Sequence, residues 1–200
     1  MCFHKKGTAK VNLGLRTQCS RGWLSRTGDC AHDRRNGDFS PANFHYGTFL
    51  GQNTPVNTDR YPDAVAPDLV GTYSSVAKAG GGYVWDEVLE YRVWCHPQRG
   101  SPNSDGGSDY YYAFATYAEA LAFSGDTIGA EEPLALIRQL EYIDEPNPGE
   151  YRHVKQERIT EWPVEFLRRP RRSPNTIPAF LSPNAPANRL DILRGLANEK

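Results

Sequence analysis

Hydrophobic and polar positions fall into three unlike textures along the 200-residue chain. The regular one begins at Val84. Over 88–95 the run Val-Leu-Glu-Tyr-Arg-Val-Trp-Cys is rich in β-formers and predicts a strand. Its alternation puts Glu90, Arg92 and Trp94 on one face and Leu89, Tyr91, Val93 and Cys95 on the other. A polar loop over 97–108 with the turn signal Asp105-Gly106-Gly107 leads to a second strand over 110–115. Thr116-x-x-Glu119 is a capping box, whose hydroxyl and carboxylate satisfy orphan backbone N–H groups. It predicts a helix over 117–124 that packs through Tyr117, Ala120, Leu121 and Ser124, with Gly125 ending it. Residues 133–143 predict a third strand, apolar on both faces and central. Residues 144–149 read as a turn and 150–155 as a fourth strand, and Pro163 opens a short turn through Leu167. The expectation is a small α+β module over 84–168, in the order β-β-α-β-β with a short closing helix.

The flanks differ. Residues 1–85 contain no Glu and no Ile, and their apolar residues follow neither strand nor helix periodicity. Such a segment buries too little apolar surface to offset ordering its backbone, about 1–2 kcal/mol per residue. Residues 1–83 therefore read as disordered, or as an upstream extension foreign to the native protein. Residues 169–187, with five prolines and three arginines, read as an extended linker. Residues 188–200 predict a short amphipathic helix opened by Asn188 and carrying Leu190, Leu193 and Leu196. It is too short to stand alone in water, so it docks on its own module or on a protein partner.

Charge changes this picture. The whole chain is near neutral, but 86–168 carries 16 acidic against 7 basic residues and 169–200 carries 6 basic against 2 acidic. The basic tail is thus expected to fold back on an acidic face or to reach an acidic partner. An acidic module repels phosphates, which excludes nucleic acid as the expected partner. No apolar run approaches the roughly 18 residues needed to span a bilayer, and the residues after Lys5-Lys6 lack a signal-peptide core. With no membrane segment and one cysteine of four in the patterned region, the expected setting is reducing and cytoplasmic.

Candidate chemistry is sparse. There is no P-loop, dinucleotide-binding glycine pattern, nucleophile elbow or zinc-binding His-Glu-x-x-His. Cys2, His4, Cys19, Cys30 and His32 are ligand types without paired zinc spacing, so no metal is expected. Cys95-His96 pairs a thiol with a base, but strand neighbours face opposite ways. The tyrosines 110–112 with Trp94 and Trp162 read as core rather than a stacking platform. Arg138, among leucines on one strand face, needs a partner such as Glu90 or Glu161, or else holds an anionic group of a ligand. Arg92 is a second anion candidate. His153, with Tyr151 and Lys155, is a candidate general base. The catalytic residues stay unknown, and Arg92, Arg138, His153 and Glu161 are the ligand-binding candidates.

Five runs and the tail over 183–196 carry a family likeness: Glu-Tyr-Arg-Val-Trp-Cys-His-Pro from Glu90, Tyr-Tyr-Ala-Phe-Ala-Thr-Tyr-Ala-Glu-Ala-Leu-Ala-Phe-Ser from Tyr111, Gly-Ala-Glu-Glu-Pro-Leu-Ala-Leu from Gly129, Glu-Tyr-Ile-Asp-Glu-Pro from Glu141, and Glu-Arg-Ile-Thr-Glu-Trp-Pro-Val-Glu-Phe-Leu from Glu157. They resemble a short bacterial family of uncharacterised proteins to which the name GNAT-type acetyltransferase is commonly attached. The resemblance covers about 84–197 and implies acetyl-CoA and an amine acceptor. That class cradles pyrophosphate on a glycine turn opening a helix. Here the one strand-to-helix step, Ala115 to Glu119, lacks glycine, so no catalytic residue carries over. The residues themselves imply no cofactor and favour a binding or interaction module. A divergent acetyltransferase is the alternative. A compact ADP-ribosyl-transfer fold is a second one, from the Tyr-Arg-Val strand, the Ala-Phe-Ala-Thr step and Glu161.

Overall fold

The computed structural model describes residues 10–12, 60–103 and 106–197. In chain order the strands are β1 (Lys10–Asn12), β2 (Lys78–Ala79), β3 (Glu87–Cys95), β4 (Tyr110–Phe114), β5 (Leu134–Gln139), β6 (Tyr142–Asn147), β7 (Glu150–Val154) and β8 (Arg158–Pro163). The helices are α1 (Tyr117–Asp126), α2 (Thr176–Leu181) and α3 (Arg189–Leu193). A six-stranded sheet runs β1-β4-β3-β5-β8-β2, antiparallel except for β2 alongside β8, and β6 and β7 form a separate hairpin. The protein is α+β.

Alternation along β3 and β4 sorts the core into two layers. Tyr91, Val93, Phe114, Ala135, Ile137 and Trp162 face one way and pack under α1 and the 3₁₀ turn Val164–Arg168. Trp94, Tyr111 and Ala113 face the other way. That second face is covered by Ala64 and Val70, both buried. The chain reaches it by passing Ala115 and Val88, whose carbonyls accept the N–H groups of Ala64 and Val65. The boundary expected at Val84 thus falls inside packed structure. The cause is tertiary: a segment without periodicity of its own covers a sheet face that would otherwise expose Trp94. Residues 1–9 and 13–59, with Cys2, Cys19 and Cys30, lie outside the described residues.

Helix α1 starts at its expected cap, Thr116 Oγ1 accepting the N–H of Glu119 at 3.2 Å. It runs past Gly125 to Asp126; that glycine is helical rather than a stop. The expected single strand over 133–143 is broken, because Asp86 Oδ2 accepts the N–H of Leu140 at 2.7 Å and the chain turns there from β5 to β6. The turn expected over 144–149 shrinks to Pro148-Gly149, since β6 continues through Asn147. Strand β8 was hidden in the sequence by its polar alternation.

The tail is not an extended linker. Arg172 N–H donates to Trp85 O at 2.8 Å, and its guanidinium pairs with buried Asp86 at 2.8 Å. Helices α2 and α3 then bury Ile177, Phe180 and Leu193 against Val84 and Ile143 in a third cluster. The basic tail therefore folds back on an acidic group, one of the two outcomes its charge implied.

Candidate functional site

Glu90 and Arg92, two apart on β3, share a face by strand geometry, and Glu161 comes to the same face from β8. Arg92 Nε donates to Glu90 Oε1 at 2.7 Å, and its two terminal nitrogens donate to Glu161 Oε1 at 3.0 Å and Ser74 O at 2.8 Å. Its guanidinium lies 4.4 Å over the Tyr111 ring. The N–H of Gly71 donates to the other oxygen of Glu90 at 2.6 Å. Arg92 and Glu90 have no exposed surface, and Glu161 is buried. Two of the four candidates thus form an internal ion network. A buried arginine is tolerable only with its donors matched in this way.

Arg138 pairs with neither Glu90 nor Glu161. Its cross-strand partner in the β3–β5 register is Glu87, and the ion pair is 2.9 Å, with Glu157 at 3.5 Å. His153 Nε2 lies 2.5 Å from Glu141 Oε2, on a half-exposed surface also approached by Arg172. The hydrogen bond from His153 holds the Glu141 carboxyl below its ordinary value. Tyr151 does not join that histidine; it packs edge-on against Tyr83 and Phe180.

Cys95 is buried, and burial pushes its thiol pKa up. His96 turns away from it. Nδ1 is 2.9 Å from Asp109 and Nε2 3.0 Å from Glu131, which also meets Arg99. These carboxylates sit at opposite ring nitrogens, so their oxygens do not converge. Among the described residues no cluster of three or more His, Cys, Asp or Glu side chains is placed to hold a metal ion. No helix among them is long and apolar enough to cross a membrane. At the N-terminus of α1, Glu119 Oε2 lies 3.0 Å from Thr116 Oγ1, which places a carboxylate where the acetyltransferase class would seat pyrophosphate. The expected partner helix of residues 188–200 buries Leu193 in its own module and leaves Leu196 74% exposed. Tyr110 and Tyr111 are buried, as core residues.

Sequence reasoning missed a different place. Beside β8 an open cleft of about 590 Å³ lies between the β2 edge and the base of the β6–β7 hairpin. Its walls include Val76, Lys78, Tyr142, Glu157, Arg158 and Ile159. Arg158 is fixed from several sides. Its guanidinium stacks 4.1 Å over the Tyr142 ring, Nε donates to Gln139 Oε1 at 2.5 Å, and a terminal nitrogen donates to Gly80 O at 3.3 Å. The backbone approaches this closely because Gly80, Gly81 and Gly82 all have positive φ, followed by Tyr83 at 62°. These three glycines, inside the segment expected to be disordered, form a left-handed turn. Its carbonyls accept from Arg158, Thr160 and Trp162. The signal available in the sequence was the glycine run itself, since only glycine adopts such a run without strain.

Desolvation lowers the pKa of Arg158, yet the side chain stays charged. Among the described residues no carboxylate lies within ion-pair distance of it. The nearby Asp144 pairs with Arg152 at 3.0 Å. Comparison with family models, curated proteins and solved structures finds no match to this chain.

Proposed function

We propose that the protein is a small binding module whose recognition site is the cleft beside β8. The observation that carries this reading is the pre-set geometry of the cleft. A stacked and hydrogen-bonded Arg158 sits next to exposed Val76 and half-buried Ile159, in a concavity large enough for a small ligand or a few residues of peptide. Groups held in place before binding lose little freedom on binding, which favours recognition. The contrast with the other polar residues supports it. Arg92, Arg138, His96 and His153 each face carboxylates of their own chain.

Val76 is 74% exposed at the rim, so Val76→Trp fills the cleft without touching the core. A fragment library screened by thermal shift should raise the melting temperature of the native chain with several fragments, and Val76→Trp should abolish those shifts. Shifts that persist in Val76→Trp, or none in the native chain, contradict the reading.

A further inference from the structure

Resting on that reading, we infer that the cleft takes an anionic group, a carboxylate or phosphate, carried on a flat apolar body. Two cationic side chains line the cleft, Lys78 from the edge strand and Arg158 from β8. The acid among its walls, Glu157, is directed to Arg138 at 3.5 Å. Neither Lys78 nor Arg158 meets a carboxylate among the described residues. The net charge presented to a ligand is therefore positive, on a module that is acidic overall.

The guanidinium is poised for such a guest. Nε is committed to Gln139 and one terminal nitrogen to Gly80 O, while the plane is held by Tyr142. With the phenol of Tyr142 these contacts engage three of the five guanidinium N–H donors, so donors remain for a guest. A guanidinium with restricted torsions donates charge-assisted bonds to a planar or tetrahedral anion at small entropic cost. Partial burial strengthens those bonds, because fewer waters compete. Val76, Ile159 and the edge of Tyr142 give the body of the ligand an apolar wall. Gly82 fixes the approach: a Cβ there would lie 2.5 Å from an Arg158 nitrogen and displace the cation.

The test uses the full chain and three probes of one shape: benzoate, phenyl phosphate and neutral benzamide, followed by amide chemical shifts around Lys78, Tyr142 and Ile159. Both anions should bind there, at least about tenfold tighter than benzamide, and more weakly as salt rises. Arg158→Gln and, separately, exposed Lys78→Gln should each weaken anion binding by a larger factor than benzamide binding. Phenyl phosphate binding well above benzoate identifies a phosphate site, and the reverse a carboxylate site. If benzamide binds in the cleft as well as the anions do and both variants are silent, the anion assignment falls while the cleft reading stands. If none of the three perturbs the cleft, both fall. Lys78→Gln keeps the test valid should Arg158→Gln fail to fold.

Discussion

Arg92 and Glu161 stand 69 residues apart in the chain and meet at 3.0 Å inside the sheet layer, with Glu90 on the opposite side of the same guanidinium. This arrangement ties β3 and β8, together with the loop that carries Gly71 and Ser74, into one buried network. Replacing the arginine leaves two carboxylates buried without a cation. Arg92→Met should therefore cost about 3–5 kcal/mol in urea unfolding. A cost below about 1 kcal/mol would mean that the network is solvated.

Gly82 and Gln139 are equally coupled. With φ at 84°, an added Cβ would lie 2.3 Å from Gln139 Nε2. Gly82→Ala should lose about 2 kcal/mol or more, combining left-handed strain with overpacking. It should also weaken ligand binding, because Arg158 is displaced. Urea midpoints and probe affinity measured on the same variant check both parts.

The phenol of Tyr83 hydrogen-bonds to the Glu145 carboxylate, and the pH dependence follows from the pair. Burial raises the Glu145 pKa, but hydrogen bonds from Gly149 N–H and the hydroxyls of Tyr83 and Tyr151 outweigh it and leave it depressed. A depressed carboxylate contributes stability that is present at neutral pH and lost as pH falls through its folded value. Tyr83 moves the other way, pushed up from 10.0 to about 12, chiefly by burial and then by Glu145. Its contribution is complete below 10.0 and lost as pH rises through about 12. The stability difference between the native chain and Tyr83→Phe should be constant near neutrality and shrink at both extremes. A pH-independent difference would contradict the pairing.

The tail should behave as core. Phe180 is 5% exposed among Val84, Ile143 and Leu193, so Phe180→Ala should cost about 3 kcal/mol or more. Leu196→Ala, on an exposed position, should stay within about 0.5 kcal/mol. Calorimetric melting of the two variants separates a docked tail from a loose one.

The elements legible in the sequence were those with strong local signals. Strands β3, β4 and β7 and the capped start of α1 follow from alternation and from Thr116-x-x-Glu119. What escaped was set by distant partners. The break at Leu140 depends on a carboxylate 54 residues away. Strand β8 alternates Arg158, Thr160 and Trp162 with Ile159 and Glu161, so its polar residues looked like surface although most are buried against other strands. Ala64 and Val70 carry no pattern and are recruited by Trp94 and Tyr111. The same applies to the candidate residues. Arg92 and Glu161, ligand-binding candidates by sequence, pair with each other inside the fold, since charge in a strand pattern does not distinguish an internal pair from a ligand site. Arg158 drew no notice, because its significance lies in a glycine turn that passes 78 residues earlier in the chain.

The central claim is that recognition takes place in the cleft beside β8. Its most direct test is an amide-resolved NMR titration of the full chain with phenyl phosphate, benzoate and benzamide in turn. Saturable shifts confined to Lys78, Tyr142, Arg158 and Ile159 and their neighbours are the expected result. Shifts confined to residues away from the cleft, or no saturable shift with any of the three, would contradict it.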